Sequence, residues 1–313
     1  MTGFVIEQPG ILTTLQDAGR FGAGRYGLTQ GGAADSFAYQ VADLLLQQQP
    51  SCQLEITLGG LQLQVLQPMV IAVTGAELPL WCNEKPLGWW RSHQLKAGQR
   101  LRFGMARSGV RSYLAVAGGI HLPKVLGSHS TVLREAIGGI DGKAIKAGQF
   151  LPVKARQLPY CLALPKTSWP DYAAPLTLRL VPGFQAELFS AAQWQQLTEQ
   201  SLTVSQAADR MGYRLQAERP LEMDAVSLWS EGTVYGAVQC PPDGYPIVLL
   251  NDRQTLGGYP KPGAVVALDA ARLSQRRAGQ VLQFSRLDPA KLAAVRQQLQ
   301  HDWQQLRLEL YCC

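Results

Sequence analysis

Apolar and polar positions along the chain follow two rhythms, and the shorter one dominates the first half. In "LQLQVLQ" (61–67) Leu61, Leu63 and Val65 alternate with glutamines, the period of a strand with one buried face. "VIAVTG" (70–75) and "SYLAVAGG" (112–119) are unbroken apolar, β-branched or aromatic runs that stop at glycine, and they too predict strands. The helical rhythm breaks in once here, in "ADSFAYQVADLLLQQQ" (34–49). Asp35 is placed to cap that helix, with Phe37, Val41, Leu44 and Leu45 on one face. The second half predicts a strand at 176–183, a helix at 185–200 and short strands to about residue 285. It closes on a helix with Asp288 as cap, Pro289 at the first helical position and a stripe of Leu292, Val295, Leu299 and Leu306. A stripe of this kind usually packs onto its own domain.

Punctuation divides the pattern. Between 154 and 175 lie Pro159, Pro165, Pro170 and Pro175, which favour an extended connection. The expected organisation is therefore a β-rich domain over 1–153, a proline-rich linker over 154–175 and a second β domain with a C-terminal helix over 176–313. The fold class is mainly β, a β-rich α+β arrangement. A hexapeptide recurs as "KAGQRL" (96–101), "KAGQFL" (146–151) and "RAGQVL" (277–282). Its glycine suits a positive-φ turn, so each copy reads as the entry to a strand.

Composition narrows the function. With 313 residues, 46% of them apolar, the chain can build two ordinary cores. A formal charge of +6 from scattered Lys and Arg, without interleaved aromatics, argues against a nucleic-acid groove. Scattered arginines suit local ion pairs or small anionic substrates. No signal peptide and no apolar run long enough to span a bilayer is visible, so a cytoplasmic, non-membrane protein is expected. Cys52, Cys82, Cys161, Cys240, Cys312 and Cys313 make no framework and read as reduced thiols. His93, His121, His129 and His301 show no metal-ligand spacing, and no metal site is expected. "IGGIDGKA" (137–144) misses the phosphate-loop pattern at its first glycine and at Ala144. Neither a biotin-carrier lysine nor a G-x-S-x-G elbow is present.

Polar and glycine residues concentrate in three places. The first holds Gln16, Asp17 and Arg20 within "TTLQDAGRFGAGRYG" (13–27). The second is "ADRMGYRLQ" (208–216), with Arg210 and Arg214. The third joins "VQCPPDGYPIVLL" (238–250) to "NDRQTLGGYP" (251–260), contributing Gln239, Asp243, Asp252, Arg253, Gln254, Thr255, Gly257, Gly258 and Tyr259. Each alone is an ordinary turn with charged decoration. Together they collect Arg, Asp, Gln and Thr on short loops, the way a rigid β scaffold presents a small-molecule site.

Read in order, "TLQDAGRFGAGRYGL", "GGAADSFA", "LEITLGG", "VIAVTGAE", "VLGSHST", "DRMGYRL" and "GAVQCPPDGYPIVLLNDRQTLGGYP" resemble the biotin-dependent carboxyltransferase / allophanate hydrolase subunit 2 family. That family includes 5-oxoprolinase C subunits and the regulator KipA. Phe184, Ala34 and Ala208 stand where proline, methionine and serine are common in the family, and none removes a reacting group. The resemblance implies an N-terminal β-rich domain followed by a cyclophilin-like β-barrel. It also implies an ATP-dependent 5-oxoprolinase, opening 5-oxoproline to glutamate together with two further subunits, one KipI-like and one LamB/YcsF-like. ATP with Mg²⁺ is then the cofactor of the assembled complex. Biotin belongs to the alternative of a urea carboxylase-type carboxyltransferase, and a KipA-like regulator that binds a KipI-like kinase inhibitor is the third possibility. Substrates of this family share an O–C–N unit, which a Gln239 or Gln254 amide complements with one acceptor and one donor. On residue type, Asp243 or Asp252 suits a base, Arg253 a catalytic cation, and Arg210 and Arg214 substrate-binding cations. Gly257 and Gly258 allow close backbone approach, with Thr255 and Tyr259 beside them. Gln16, Asp17 and Arg20 are secondary candidates.

Overall fold

A computed structural model describes residues 2–223 and 228–313, and it divides into two compact units. The first comprises residues 1–23, 30–172 and 302–313; the second comprises 24–29 and 173–301. The division differs from the sequence ranges in three places: 24–29 group with the second unit, 302–313 with the first, and 154–172 of the expected linker also with the first, where Leu158, Leu162 and Leu164 are buried.

Two sheets build the first unit. A six-stranded sheet runs in the order Phe150–Pro152, Gly3–Pro9, Leu61–Val65, Arg100–Phe103, Leu80–Cys82 and Lys85–Leu87. A seven-stranded sheet runs Leu12–Gln16, Gln53–Thr57, Ser108–Val116, Met69–Glu77, Arg91–Leu95, Leu162–Ala163 and Tyr311–Cys312. Phe4, Ile6, Leu63 and Phe103 of the first meet Leu54, Ile56, Ile71 and Leu114 of the second in one core. The other face of the seven-stranded sheet is covered as well. Helix α1 (Ser36–Leu45) lays Ala38, Val41, Ala42 and Leu45 against Val70, Ala72 and Ala115.

This arrangement explains the two strand signatures. Leu61–Val65 alternates buried and half-buried positions, whereas the eight residues from Met69 to Ala76 are all buried. A sheet covered on both faces demands an unbroken apolar run; one covered on a single face demands alternation. Asp35 caps α1, its Oδ1 accepting from the Ala38 N–H at 3.0 Å. The helix is shorter than its sequence signature, because the backbone turns left-handed at Gln47.

In the second unit seven strands close into a barrel. Their order is Leu176–Pro182, Gly263–Val265, Ala237–Gln239, Ile247–Leu249, Gly212–Ala217, Leu202–Ala208 and Val281–Arg286, which returns to the first through a parallel pairing. Leu178, Leu180, Val204, Tyr213, Leu215, Val238, Val248 and Phe284 are buried in its core. Helix α2 (Ala191–Glu199) adds Trp194 and Leu197, and helix α3 (Ala267–Leu273) adds Ala270 and Leu273. The helix expected over 185–200 begins only at Ala191, where Ser190 and Gln193 form a reciprocal capping box that fixes the start. Asp288 accepts from the Ala290 N–H and starts a 3₁₀ turn at Pro289 that runs into helix α4 (Leu292–Leu308). The apolar stripe of α4 differs from expectation. Leu292 is exposed and Val295 and Leu299 half-buried, while Trp303 and Leu306 in its last turns join the core around α1.

The recurring hexapeptide opens a strand in all three places. Gly98, Gly148 and Gly279 have φ of 82°, 78° and 87°. In each copy the Gln side-chain oxygen accepts from the backbone N–H of the leading basic residue, at 2.7, 3.0 and 2.7 Å. Each turn also grips one residue of a neighbouring strand twice: the glycine N–H donates to Val65, Ile6 or Val204, whose own N–H donates to the Gln carbonyl.

Candidate functional site

The candidate residues of the second unit fall into three constellations. Arg210 and Asp252, which are 7% and 6% exposed, form a two-pronged ion pair with both contacts at 2.9 Å. The Asp252 backbone N–H also donates to the Arg210 carbonyl at 2.8 Å. Side chains and backbones thus tie the loop before Gly212–Ala217 to the loop after Ile247–Leu249. A buried carboxylate held this way is stabilised as an anion and occupied by its partner.

Arg214 and Asp243 pair at the other end of the same short strand. Asp243 lies on the Pro-Pro-Asp-Gly turn, its other oxygen accepting from the Tyr245 N–H at 3.2 Å. The Arg214 guanidinium lies 5.9 Å from the Tyr245 ring centre. This pair is solvent-accessible, with side chains 31% and 49% exposed. Three residues of strand separate the two pairs, roughly 10 Å of rise, so they do not converge on one atom.

The third constellation surrounds Gln239, and it does converge. Gln239 ends strand Ala237–Gln239 and is 1% exposed. Its carbonyl oxygen accepts from the Gln254 amide at 3.2 Å, while its own Nε2 has no hydrogen-bond partner among the described residues. That nitrogen points at Gly257: a Cβ built there would sit 2.3 Å from it. φ is not positive at 257, so the glycine serves this close approach and not backbone freedom, and a larger residue would have to push the Gln239 amide aside. Gly258 passes the Leu228 carbonyl and Ser230, and Tyr259 beyond it is 45% exposed.

Thr233 braces the loop. Its N–H donates to the Thr255 carbonyl at 3.0 Å, its hydroxyl donates to the Gln254 carbonyl, and its carbonyl accepts from Arg253 Nε at 3.4 Å. Arg253 also donates to the Leu250 carbonyl at 3.2 Å, and its own carbonyl accepts from the Thr29 hydroxyl at 3.2 Å. Burial lowers the Arg253 pKa, partly opposed by nearby Tyr235. Unlike Arg210 and Arg214, Arg253 pairs with no carboxylate among the described residues. The sequence pattern gave no sign of Thr233 and Tyr235, which lie outside the glycine-rich stretches that marked the other candidates.

Gln16, Asp17 and Arg20 lie in the first unit and hold a turn together. The Asp17 carboxylate accepts from the hydroxyls of Ser128 and Ser130, both at 2.6 Å, and from the N–H groups of His129 at 2.6 Å and Gly19 at 2.9 Å. Burial pushes its pKa upward, but these four donors outweigh it and leave the group below its ordinary value. Arg20, 1% exposed, donates to the carbonyls of Val125 at 3.0 Å and Ser130 at 2.9 Å. Gln16 donates to Thr14 and to the Thr131 carbonyl, both at 3.0 Å.

A mainly β chain with a closed seven-stranded barrel is also what comparison with known proteins finds. The chain belongs to the family of carboxyltransferase domains, subdomains A and B, matched over residues 26–286. It is 36% identical to the C subunit of the 5-oxoprolinase of Escherichia coli (strain K12) over 98% of both chains. The crystal structure of TTHA0988 superposes with a TM-score of 0.81 at 33% identity, over 90% of this chain and 55% of that one. This chain therefore spans about half the length of TTHA0988. The K. lactis urea amidolyase superposes with a TM-score of 0.86 at 25% identity, over 97% of this chain and 20% of its own. Among the described residues no helix is long and apolar enough to cross a membrane.

Proposed function

We propose that this chain is the C subunit of an ATP-dependent 5-oxoprolinase, and that the loop around Gln239 receives the O–C–N unit of the lactam. End-to-end similarity to the C subunit of a 5-oxoprolinase supports the reaction. The observation that carries the site is the buried Gln239 Nε2, without an acceptor among the described residues and beside the braced loop that carries Arg253. A buried amide donor left bare costs about 1–3 kcal/mol, which a substrate carbonyl oxygen recovers on binding. Gln254 orients that amide by donating to its oxygen, so the free nitrogen is the end presented. Arg253, cationic and bonded only to carbonyls among the described residues, favours negative charge developing on the lactam oxygen. Of the two carboxylates, Asp243 is the one able to exchange its partner for a proton or water, being exposed. Asp252 acts through Arg210 as a positioning group.

The same loops do not fit a magnesium nucleotide. Asp243 and Asp252 are already paired with arginines, and no cluster of three or more ligating side chains is found among the described residues. Activation by ATP accordingly falls to the assembled complex, in which this chain joins a KipI-like protein and a LamB/YcsF-like protein. A biotin-dependent urea carboxylase is the second reading, favoured by the fold shared with the urea amidolyase. Its ureido substrate would present the same carbonyl to Gln239.

Reconstituting the three proteins and measuring glutamate from 5-oxoproline tests the proposal. ATP-dependent release that needs all three is expected, and Arg253→Ala or Asp243→Ala should remove it while the KipI-like partner still binds. No ATP-dependent glutamate from the complete set would sink the reading, and a requirement for biotin would promote the second. Full activity in both variants would return these loops to ordinary turns.

A further inference from the structure

The first unit contains a cavity of about 370 Å³ that takes no part in the chemistry above. Its walls are aromatic, from Trp89, Trp90, Trp169 and Tyr172, and its charged lining includes Glu77 and Lys166. The aromatic groups are fixed before any ligand arrives. Trp90 and Trp169 stack with ring centres 6.4 Å apart and planes 30° from parallel. The polar atoms of the rings are spent internally: Trp169 donates to the Leu164 carbonyl at 2.9 Å, Trp89 to the Leu78 carbonyl, and the Tyr172 hydroxyl to Asp35 at 2.7 Å. Trp90 is 3% exposed and packs against Phe37 and Trp169, so the ring surface still open to a ligand is that of half-buried Trp89 and Trp169.

Two further features mark the cavity as built. Trp90 adopts φ of 52°, a left-handed backbone that is a true outlier for a bulky side chain and costs about 1–3 kcal/mol. Gly75 in the lining has φ of 89°, and a Cβ there would meet the Arg111 carbonyl oxygen at 2.4 Å, so this position admits only glycine. Glu77 and Lys166 are both exposed, and neither makes an ion pair or side-chain hydrogen bond among the described residues. They line one cavity, carry opposite charges and do not pair with each other. A second carboxylate, Asp171, adjoins Tyr172 in the lining.

We infer that this cavity is a binding site for a free α-amino acid with a flat or apolar side chain. Its ammonium group faces the Glu77 carboxylate, its carboxylate faces the Lys166 ammonium, and its side chain lies on the indole faces. Pockets of this size with aromatic walls and a few convergent polar groups are typical of small-molecule sites. A ligand carrying both charges satisfies both side chains, whereas a simple cation or anion leaves one of them bare. The inference is independent of the reaction proposed for the Gln239 loop, because the two lie in different units.

Titration of the full chain by calorimetry with L-phenylalanine and L-leucine tests it, with phenethylamine and 3-phenylpropanoate as probes lacking one charge. Saturable binding of at least one amino acid is expected, and loss of either charge should weaken it about tenfold. Glu77→Gln should weaken L-phenylalanine about tenfold yet leave 3-phenylpropanoate unchanged, and Lys166→Met should do the reverse with phenethylamine. Both substitutions are at exposed positions, so folding is retained. Absence of saturable binding by both amino acids overturns the inference, as does equal binding of the zwitterion and its singly charged analogues.

Discussion

The loop at Gln16–Arg20 and the loop at Arg253–Tyr259 look alike as sequences, each mixing glutamine, arginine and glycine beside an aspartate. In the structure they do opposite things with their charged groups, although each has a buried amide atom with no partner among the described residues, Gln16 Oε1 in the first and Gln239 Nε2 beside the second. The first turns its charges inward: Asp17 receives four donors and Arg20 spends its guanidinium on two carbonyls of the Val125–Ser130 turn. The second ties down one charge pair, Arg210–Asp252, and next to it, among the described residues, leaves Gln239 Nε2 without an acceptor and Arg253 without a carboxylate. A carboxylate met by four donors holds a fold together, and a bare donor beside an arginine that pairs with no carboxylate among the described residues is what remains for a ligand. Glycine and charge content alone do not separate the two cases.

Substitutions can break this contrast. The largest effect belongs to Asp252→Ala, which takes the two-pronged carboxylate away from a buried guanidinium. Urea unfolding should show a loss of about 3–5 kcal/mol. A smaller loss would mean that the lock is weaker than its geometry. Next is Asp17→Asn, expected to cost about 1.5–3 kcal/mol at neutral pH, because two hydroxyls and two N–H groups lose an ionic acceptor. The pH dependence has a definite sign. The folded-state pKa of Asp17 lies below the unfolded value near 3.9, so its contribution is present above that pH and is lost as pH falls through the folded value. The gap between native protein and Asp17→Asn should therefore close below about pH 4. A gap that persists in acid would move the effect from charge to packing.

At the small end, Gln239→Leu should change stability by less than about 1 kcal/mol, since the long bond it loses from Gln254 is offset by removal of a buried donor with no partner among the described residues. The same substitution should cut turnover of the reconstituted enzyme by about a hundredfold. A stability loss as large as that of Asp17→Asn would make Gln239 a structural residue like those of the first loop.

Much of the fold was legible because strand periodicity is local. Alternation at Leu61–Val65 and the unbroken run at Met69–Ala76 even distinguish the sheet with one free face from the sheet buried on both. Caps were legible for the same reason: Asp35 and Asp288 act on residues two or three positions away. The partnerships that decide a site are not local. Asp17 finds Ser128 and Ser130 more than a hundred residues on, and Arg210 finds Asp252 across 42. Thr233, the brace of the Gln239 loop, carries no signal in its own neighbourhood, because its role exists only once Gln254 and Thr255 fold back onto it.

The thrice-used hexapeptide has a consequence for how this molecule tolerates change. Each copy clamps Ile6, Val65 or Val204 with a matched pair of backbone bonds, and so sets which residue of the next strand faces which partner. Side chains in these turns can vary provided the glycine stays. Turn length cannot, because one added residue between clamp and strand would send every following side chain to the opposite face. The three segments are thus interchangeable parts of fixed size, two serving the sandwich and one the barrel. Exchanging them for one another should leave both cores intact, while lengthening any one should turn a core inside out.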